Sequence, residues 1–311
     1  MSLERAIEVV ERAAGRAYPK PTIGAVIVSD GRIVAEGATE EAGRHGEIVA
    51  LAGAGAQARG ATLYVTMEPC AHHGTTPPCV DAIVTAGVAK VVAGSLDPNP
   101  EAAGGLEQLR AAGVAVELDD RFEARRQNEA WRRWIASARP FVTYKAGVTV
   151  DGRVTVPGSR WVSGEVSRRL VHELRAASDA VGVGMGTVRL ENPRLDARDV
   201  PVLRQPRRLA FGTGPLPDDS QLELRSGKLD EELRALAAEG VQSLLVEGGP
   251  TLAGALLRAD LVDKLLLFVA PTLAGAGPGL LDRLELPRAL SRLTARPVGA
   301  DLLLEAYLRE P

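Results

Sequence analysis

The chain has 311 residues, 45% of them apolar, with a formal net charge of −3 and two cysteines. That length and apolar content allow about two domains of ~150 residues each, and the acidic balance argues against a polyanionic partner such as nucleic acid. Two cysteines in so long a chain exclude a disulfide-stapled secreted scaffold, the opening "MSLERAIEVVERAAGR" matches no signal peptide, and "LVDKLLLFVAPTLAGAGPGLL" is broken by charge, proline and glycine before the ~18 apolar residues of a membrane span, so a cytoplasmic location away from membranes is expected.

Apolar residues at helical spacing over 3–14 predict a helix, and "TIGAVIVSDGRIVAEG" predicts a hairpin turning at Asp30-Gly31. "HGEIVALAGAGAQARG" reads as a helix ended by glycine, "ATLYVTM" as a strand, and "PPCVDAIVTAGV" as a helix entered through proline, with Cys79 one turn inside it. A strand "KVVAGSL", a helix over 104–112 and an arginine-rich helix "RFEARRQNEAWRRWIASA" follow, before a strand in "RPFVTYK" opens a second domain near residue 140. Beyond it "SDAVGVG", "SLLVEGG" and "DKLLLFVAP" read as buried strands, the first two meeting glycine turns. Strands alternating with helices imply layered α/β domains, 1–140 and 141–311.

Both cysteines fall in "EPCAHHGTTPPC", Cys70 opening a proline loop and Cys79 closing it, so the loop can fold two thiolates toward one point. A soft-ligand metal site needs further donors, and His45 is the best third ligand because "HGE" opens a helix just upstream and sets Glu47 two residues on; a water would complete the site. This is the zinc-deaminase arrangement, in which the metal acidifies a water and the glutamate shuttles protons. The Cys70–Cys79 spacing is wider than the generic C-x-x-C. Two buried free cysteines, or a closed zinc site that only holds the loop, are the plainer readings; the order of His45 and Glu47 favours the open catalytic geometry. In the second half, "GVGMGT" at 182–187 and "EGGPTLAG" at 247–254 follow apolar strands and offer glycine backbone to a phosphate, without forming a clean dinucleotide fingerprint. Ordinary strand-to-helix turns would look the same.

With these residues in view, the sequence resembles the bifunctional riboflavin-biosynthesis deaminase/reductase family. "EPCAHHGTTPPC" looks like that family's zinc loop, and "PTIGAVIV", "KVVAGSLDPNP", "VTYKAGVTVDGRV", "SRWVSGEVSRRLVHELRAASDAVGVGMGTV" and "LLVEGGPTLAGALLRADLVDKLLLFVAP" resemble its other blocks in the same order. The resemblance implies a cytidine-deaminase-like three-layer α/β domain followed by a dihydrofolate-reductase-like α/β domain using NADPH. It implies hydrolytic deamination of a diaminopyrimidinone ribosylamino 5′-phosphate, then reduction of its ribosyl chain to ribityl. The expected partner is that small-molecule substrate, in a homo-oligomer with no nucleic acid or membrane. NADPH contacts are implied at Gly147, Trp161, Thr187, Glu191, Thr213, Gly249, Pro250, Thr251, Leu252, Ala253, Gly254 and Ala255, and substrate contacts at Ser159, Arg175, Leu195, Arg198 and Glu247.

Chemistry supports several of these. A guanidinium fork at Arg175 or Arg198 suits a phosphate, Glu247 can accept from sugar hydroxyls, and Lys145 can stabilise charge near the carbon that receives hydride. Solvated helix faces for the arginines and packing for Trp161 are the plainer alternatives. His72 and His73 are read as orienting the zinc loop rather than gripping substrate phosphate, and His172 as an ordinary helix residue. One departure stands out: "YPKPTIG" has Lys20 where the family carries an asparagine that recognises the pyrimidine. An amide both donates and accepts, whereas lysine only donates. Either Lys20 swings outward and deamination is impaired while reduction persists, the reading favoured here, or it holds an anionic group. Gly46 for the usual alanine, the shortened "DPNPEAAGGLEQL", and "ENP" at 191–193, where an aspartate usually leads, are smaller departures. A reductase with a structural zinc module is the alternative function, and a nucleic-acid deaminase with an accessory domain a weaker third.

Overall fold

In the computed structural model, which describes residues 2–11, 18–41, 43–73, 77–282 and 284–311, Asp30 and Gly31 both take positive φ (49° and 73°). That left-handed pair matches the twist of a tight hairpin. It joins β1 (Gly24–Ser29) to β2 (Arg32–Ala38) in antiparallel register. The chain divides into two compact units, Met1–Ser137 with Pro311, and Ala138–Glu310.

The first unit runs α1 (Ser2–Glu11), β1, β2, α2 (Gly46–Ala54), β3 (Thr62–Val65), α3 (Cys79–Ala86), β4 (Lys90–Ala93), α4 (Gly105–Ala111), β5 (Ala115–Leu118), α5 (Phe122–Arg126) and α6 (Glu129–Ser137). Its sheet order is β2-β1-β3-β4-β5, with β3, β4 and β5 parallel. Alternation along β1 splits the core: Ala25 and Ile27 pack with Ala50, Ile83 and Leu109 from α2, α3 and α4, while Val26 packs with Leu3, Ala6 and Val9 of α1. The unit is therefore three layers, helix, sheet, helix.

Local details depart from the sequence reading. The first helix is described to Glu11, and its expected continuation over 12–14 lies outside the described residues. Cys79 is the first residue of α3 rather than one turn in, because Pro78 holds an extended conformation (ψ 139°) and stands as the N-cap. The single helix expected over 121–138 breaks after Arg126, where the Asn128 side chain turns back to accept from the Thr22 N–H and donate to the Thr22 carbonyl, both at 2.9 Å. Strand β5 went unread; its four residues are mostly exposed and carry little apolar signal. Gly46 has a packing reason: a Cβ there would stand 2.3 Å from the Ile23 carbonyl oxygen, so α2 starts in direct backbone contact with the segment entering β1.

The second unit runs β6 (Phe141–Thr149), α7 (Glu165–Ala176), β7 (Ala180–Gly184), α8 (Met185–Glu191), β8 (Arg207–Phe211), β9 (Glu223–Arg225), α9 (Leu229–Ala238), β10 (Ser243–Val246), α10 (Pro250–Arg258), β11 (Lys264–Ala270), β12 (Ser291–Val298) and β13 (Asp301–Tyr307). The eight strands lie in the order β12-β13-β11-β6-β10-β7-β8-β9, parallel except where β13 pairs with β11 and β12. Leu244 and Val246 of β10 face α9 and α10, and Leu245 faces Met185 and Val188 of α8. Helices on both faces leave the carboxyl ends of the parallel strands as the place for a ligand.

Candidate active sites

His45 is the N-cap of α2, which puts Glu47 in the first helical turn. The ligand atoms of His45, Cys70 and Cys79 lie within 4.8 Å of one another. His45 Nδ1 is 3.2 Å from Cys79 Sγ and 3.6 Å from Cys70 Sγ, and the Cys79 backbone N–H donates to Cys70 Sγ at 3.3 Å. Both cysteines are free and buried. The hydrogen bond with Cys79 pulls the Cys70 thiol down to about 4, with His45 adding to the pull against burial, while the same contact and burial push Cys79 up. The pair thus readily holds one thiolate, the form that binds a metal.

Glu47 is 2% exposed; burial pushes its carboxyl up, opposed by the charge of His45, and its Oε2 has no hydrogen-bond partner. A buried carboxylate oxygen left unpaired beside two thiols and an imidazole costs free energy unless a ligand satisfies it. Two sulfurs and one nitrogen with an open side are the donors of a catalytic zinc site, so these residues fit the metal.

His45, Glu47 and Cys70 line a cavity of about 370 Å³ whose wall also includes Lys20, Thr39, Asp97, Asn99, Trp131 and Trp134. The Lys20 charge is felt at His45, where it opposes protonation, while the hydrogen bond with Cys70 is the chief influence raising that imidazole. Burial pushes Asp97 up to about 6. Of the paired histidines, His72 lines the cavity with its Nδ1 unpartnered. The sequence reading did not single out Asp97, Asn99, Trp131 or Trp134; only the "DPNP" block gave a signal, and the tryptophans lie more than 50 positions beyond Cys79.

In the second unit, Lys145 and Gly147 lie on β6, and Glu247 directly follows β10. Lys145 Nζ donates to Glu247 Oε2 at 3.0 Å; Arg175, near the end of α7, forks onto the same carboxylate at 2.5 and 3.1 Å and donates to the Asp196 carbonyl at 3.0 Å. So the structure brings together Lys145, Arg175 and Glu247, with the Arg175 guanidinium already occupied. Gly249 is the N-cap of α10, followed by Pro250, Thr251, Leu252, Ala253, Gly254 and Ala255 inside the helix, and a Cβ on Gly249 would lie 3.8 Å from Thr187 Oγ1 of α8. A glycine-opened helix end facing a hydroxyl fits a cofactor phosphate.

The remaining expected residues are more dispersed. Glu191 ends α8 and is exposed. The Thr213 carbonyl accepts from Arg189 at 2.7 Å. The Ser159 hydroxyl donates to the Trp161 carbonyl at 2.8 Å, and Trp161, half exposed, carries the guanidinium groups of Arg160 and Arg168 over its ring at 4.8 and 5.1 Å. Arg198 pairs with Asp196 at 2.8 Å, and Leu195 is buried at positive φ (53°). His172 has its Nδ1 buried without a partner.

Comparison with known proteins agrees with both halves. A model of the cytidine and deoxycytidylate deaminase zinc-binding region matches residues 1–95, and one of the RibD C-terminal domain matches residues 140–304. The riboflavin biosynthesis protein RibD of Mycobacterium tuberculosis is 40% identical over 98% of this chain and 96% of its own, and that of Escherichia coli 35% identical over 97% of each. Among solved structures, Acinetobacter baumannii RibD superposes with a TM-score of 0.85 at 31% identity, covering 98% of this chain and 97% of that one. The Thermotoga maritima protein described as diaminohydroxyphosphoribosylaminopyrimidine deaminase/5-amino-6-(5-phosphoribosylamino)uracil reductase gives 0.83 at 31% identity over the same shares. Both matched regions being present, a reductase acting alone is not favoured. A chain that carries the zinc-ligand cluster in one unit and the RibD C-terminal domain in the other, and that aligns with these proteins nearly end to end, belongs to the RibD family of bifunctional riboflavin-biosynthesis enzymes, zinc-dependent deaminases joined to NADPH-dependent reductases.

Proposed function

We propose that residues 1–140 deaminate the diaminopyrimidinone ribosylamino 5′-phosphate and that residues 141–311 reduce the ribosyl chain of the product with NADPH. The observation that carries the first half is the buried, unpartnered Glu47 Oε2 beside the His45, Cys70 and Cys79 cluster. His45, Cys70 and Cys79 would hold a zinc ion, which when bound would supply a Lewis acid able to make a water acidic near neutral pH. Glu47 takes the proton released as the C–O bond forms and delivers it to the departing amine as the C–N bond breaks. Raised by burial, its carboxyl is suited to carry that proton in turn. In the second unit, Glu247 holds Lys145 in place, and Lys145 steadies charge beside the carbon that accepts hydride. Gly249–Ala255 and Thr187 would hold the cofactor, with Gly147, Trp161, Glu191 and Thr213 completing its contacts; Ser159, Arg175, Leu195, Arg198 and Glu247 would form the sugar-phosphate side. Purification with zinc present is expected to give about one zinc per chain by elemental analysis. A chain with none would remove the basis for the deaminase.

Lys20 is read as recruited rather than as a mark of lost activity, because it lines the same cavity as Glu47 and the family is bifunctional. It would meet an anionic part of the substrate. Lys20→Asn is then expected to raise the deaminase KM about tenfold, ~1.4 kcal/mol, with kcat little changed. A faster deaminase in that variant would restore the view that lysine impairs the site.

The cell compartment we propose is the cytoplasm, with no membrane or nucleic-acid partner. No helix among the described residues is long and apolar enough to cross a membrane, the two cysteines form no disulfide, and the charge is acidic. A homo-oligomer is supported by the edge strand β12, whose Leu293 is 64% exposed.

A further inference from the structure

None of the nine residues of α6 is fully buried, although its sequence "EAWRRWIAS" carries two tryptophans and an isoleucine. Trp131 and Trp134 stand three residues apart, on one face of the helix, and both line the cavity that holds Glu47. Trp131 also packs against the core of the unit. The part of this aromatic surface that lines the cavity has burial still to gain from a ligand.

Two contacts fix α6 across the cavity. The Asn128 side chain, just before the helix, clasps both backbone groups of Thr22, on the segment that carries Pro19, Lys20, Pro21 and Ile23 into the wall. Arg132 Nη1, lying between the two tryptophans in sequence, donates to the Leu96 carbonyl at 2.8 Å, next to Asp97 and three residues before Asn99, which line another part of the wall. One short helix thus ties together two chain segments more than 70 residues apart. It lies outside the 1–95 region matched by the zinc-binding model.

We propose that α6 is the aromatic wall of the deaminase cavity: Trp134, backed by Trp131, stacks on the pyrimidine ring of the substrate, and Asn128 and Arg132 are positioning residues that hold this wall against the Lys20 and Asp97 segments. Stacking suits a ring whose edges must be left free for recognition and for attack, since every pyrimidine offers a π face whatever its substituents. The proposal rests on the deaminase reading above.

The test uses the full-length zinc-loaded enzyme. Trp134→Ala is expected to raise the KM for ammonia release about tenfold or more, with kcat within about threefold. Trp134→Phe should recover most of that loss, while zinc content and NADPH oxidation on the already deaminated substrate stay unchanged. Asn128→Ala should shift KM in the same direction with zinc retained. An unchanged KM in Trp134→Ala overturns the proposal, and so does a loss of zinc together with activity that Trp134→Phe fails to restore, since α6 would then only support the fold. A binding experiment separates this from the deaminase reading. In Glu47→Gln, Trp161→Phe enzyme the only tryptophans are Trp131 and Trp134, and the same pyrimidine phosphate should quench their fluorescence, an effect lost on adding Trp134→Phe. If the wild-type enzyme releases no ammonia, the deaminase reading falls while such quenching still upholds the wall; an absence of quenching overturns the wall.

Discussion

Glu47→Gln is expected to cut ammonia release by about 10²–10⁴-fold, the usual contribution of a positioned acid–base group, while leaving about one zinc per chain. Glutamine keeps the size and one carbonyl acceptor but cannot take and return a proton. Glu47 is not among the three clustered ligands, so the metal has no reason to leave. The loss should sit in kcat, because the proton moves only as bonds change, and NADPH oxidation of the deaminated product should match the unaltered chain. Ammonia assays beside elemental analysis check both halves of the expectation. Deamination near the wild-type rate would remove Glu47 from its role; loss of zinc would make it a structural support of the site.

Glu247→Gln is expected to lower the stability of the second unit at pH 7 by ~3–5 kcal/mol, the cost of leaving buried cations without their counter-charge. Lys145, Arg175 and Glu247 have side chains only 16%, 13% and 8% exposed, so solvent gives little relief. Burial alone would raise the Glu247 carboxyl, but the charge of Lys145 and the hydrogen bonds and charge of Arg175 outweigh it and hold the group at about 2, against an ordinary 4.5. A carboxyl depressed on folding contributes stability that is complete above its unfolded value and is lost as pH falls through its folded one. The contribution, roughly 3 kcal/mol for a shift of that size, should therefore be intact above about pH 4.5 and fade toward pH 2. Denaturant unfolding at pH 7 and near pH 2 should show the gap between wild type and Glu247→Gln closing in acid. Reduction should slow as well, since Lys145 would lose its hold. A variant with wild-type unfolding and wild-type NADPH oxidation would show that the trio matters to neither.

What was legible in the sequence was legible locally. The Asp30-Gly31 hairpin needs only two adjacent residues that accept positive φ. Three residue types in a fixed order, His45 with Glu47, then Cys70 and Cys79, point to a candidate metal site because each lies at the start of a helix or in a loop after a strand, where sequence position dictates direction. The walls of that site were not legible. Asn128 reaches Thr22 across 106 positions, and nothing at either residue announces the other. The helix break at Gln127-Asn128 follows from that tertiary contact, against a local pattern that favours one continuous helix. Arg175 and Glu247 each read sensibly alone, one as a phosphate fork and the other as a hydroxyl acceptor, yet 72 positions apart they hold each other. Composition biased toward arginine hides such pairs, since only five of the 37 basic residues are lysine and any arginine passes for a solvated one. Gly46, read as a minor departure, is a packing requirement visible only once the Ile23 carbonyl is placed against it.

The central claim is that one chain performs both steps, and a single measurement addresses it: ammonia released and NADPH oxidised by the same purified protein given the diaminopyrimidinone ribosylamino 5′-phosphate. The account predicts one ammonia for each NADPH, with ammonia appearing first. Stripping zinc with a chelator should abolish both signals on this substrate while leaving NADPH oxidation intact on the already deaminated one. NADPH oxidation on the first substrate with no ammonia released would contradict the account and leave a reductase whose zinc unit serves only the fold.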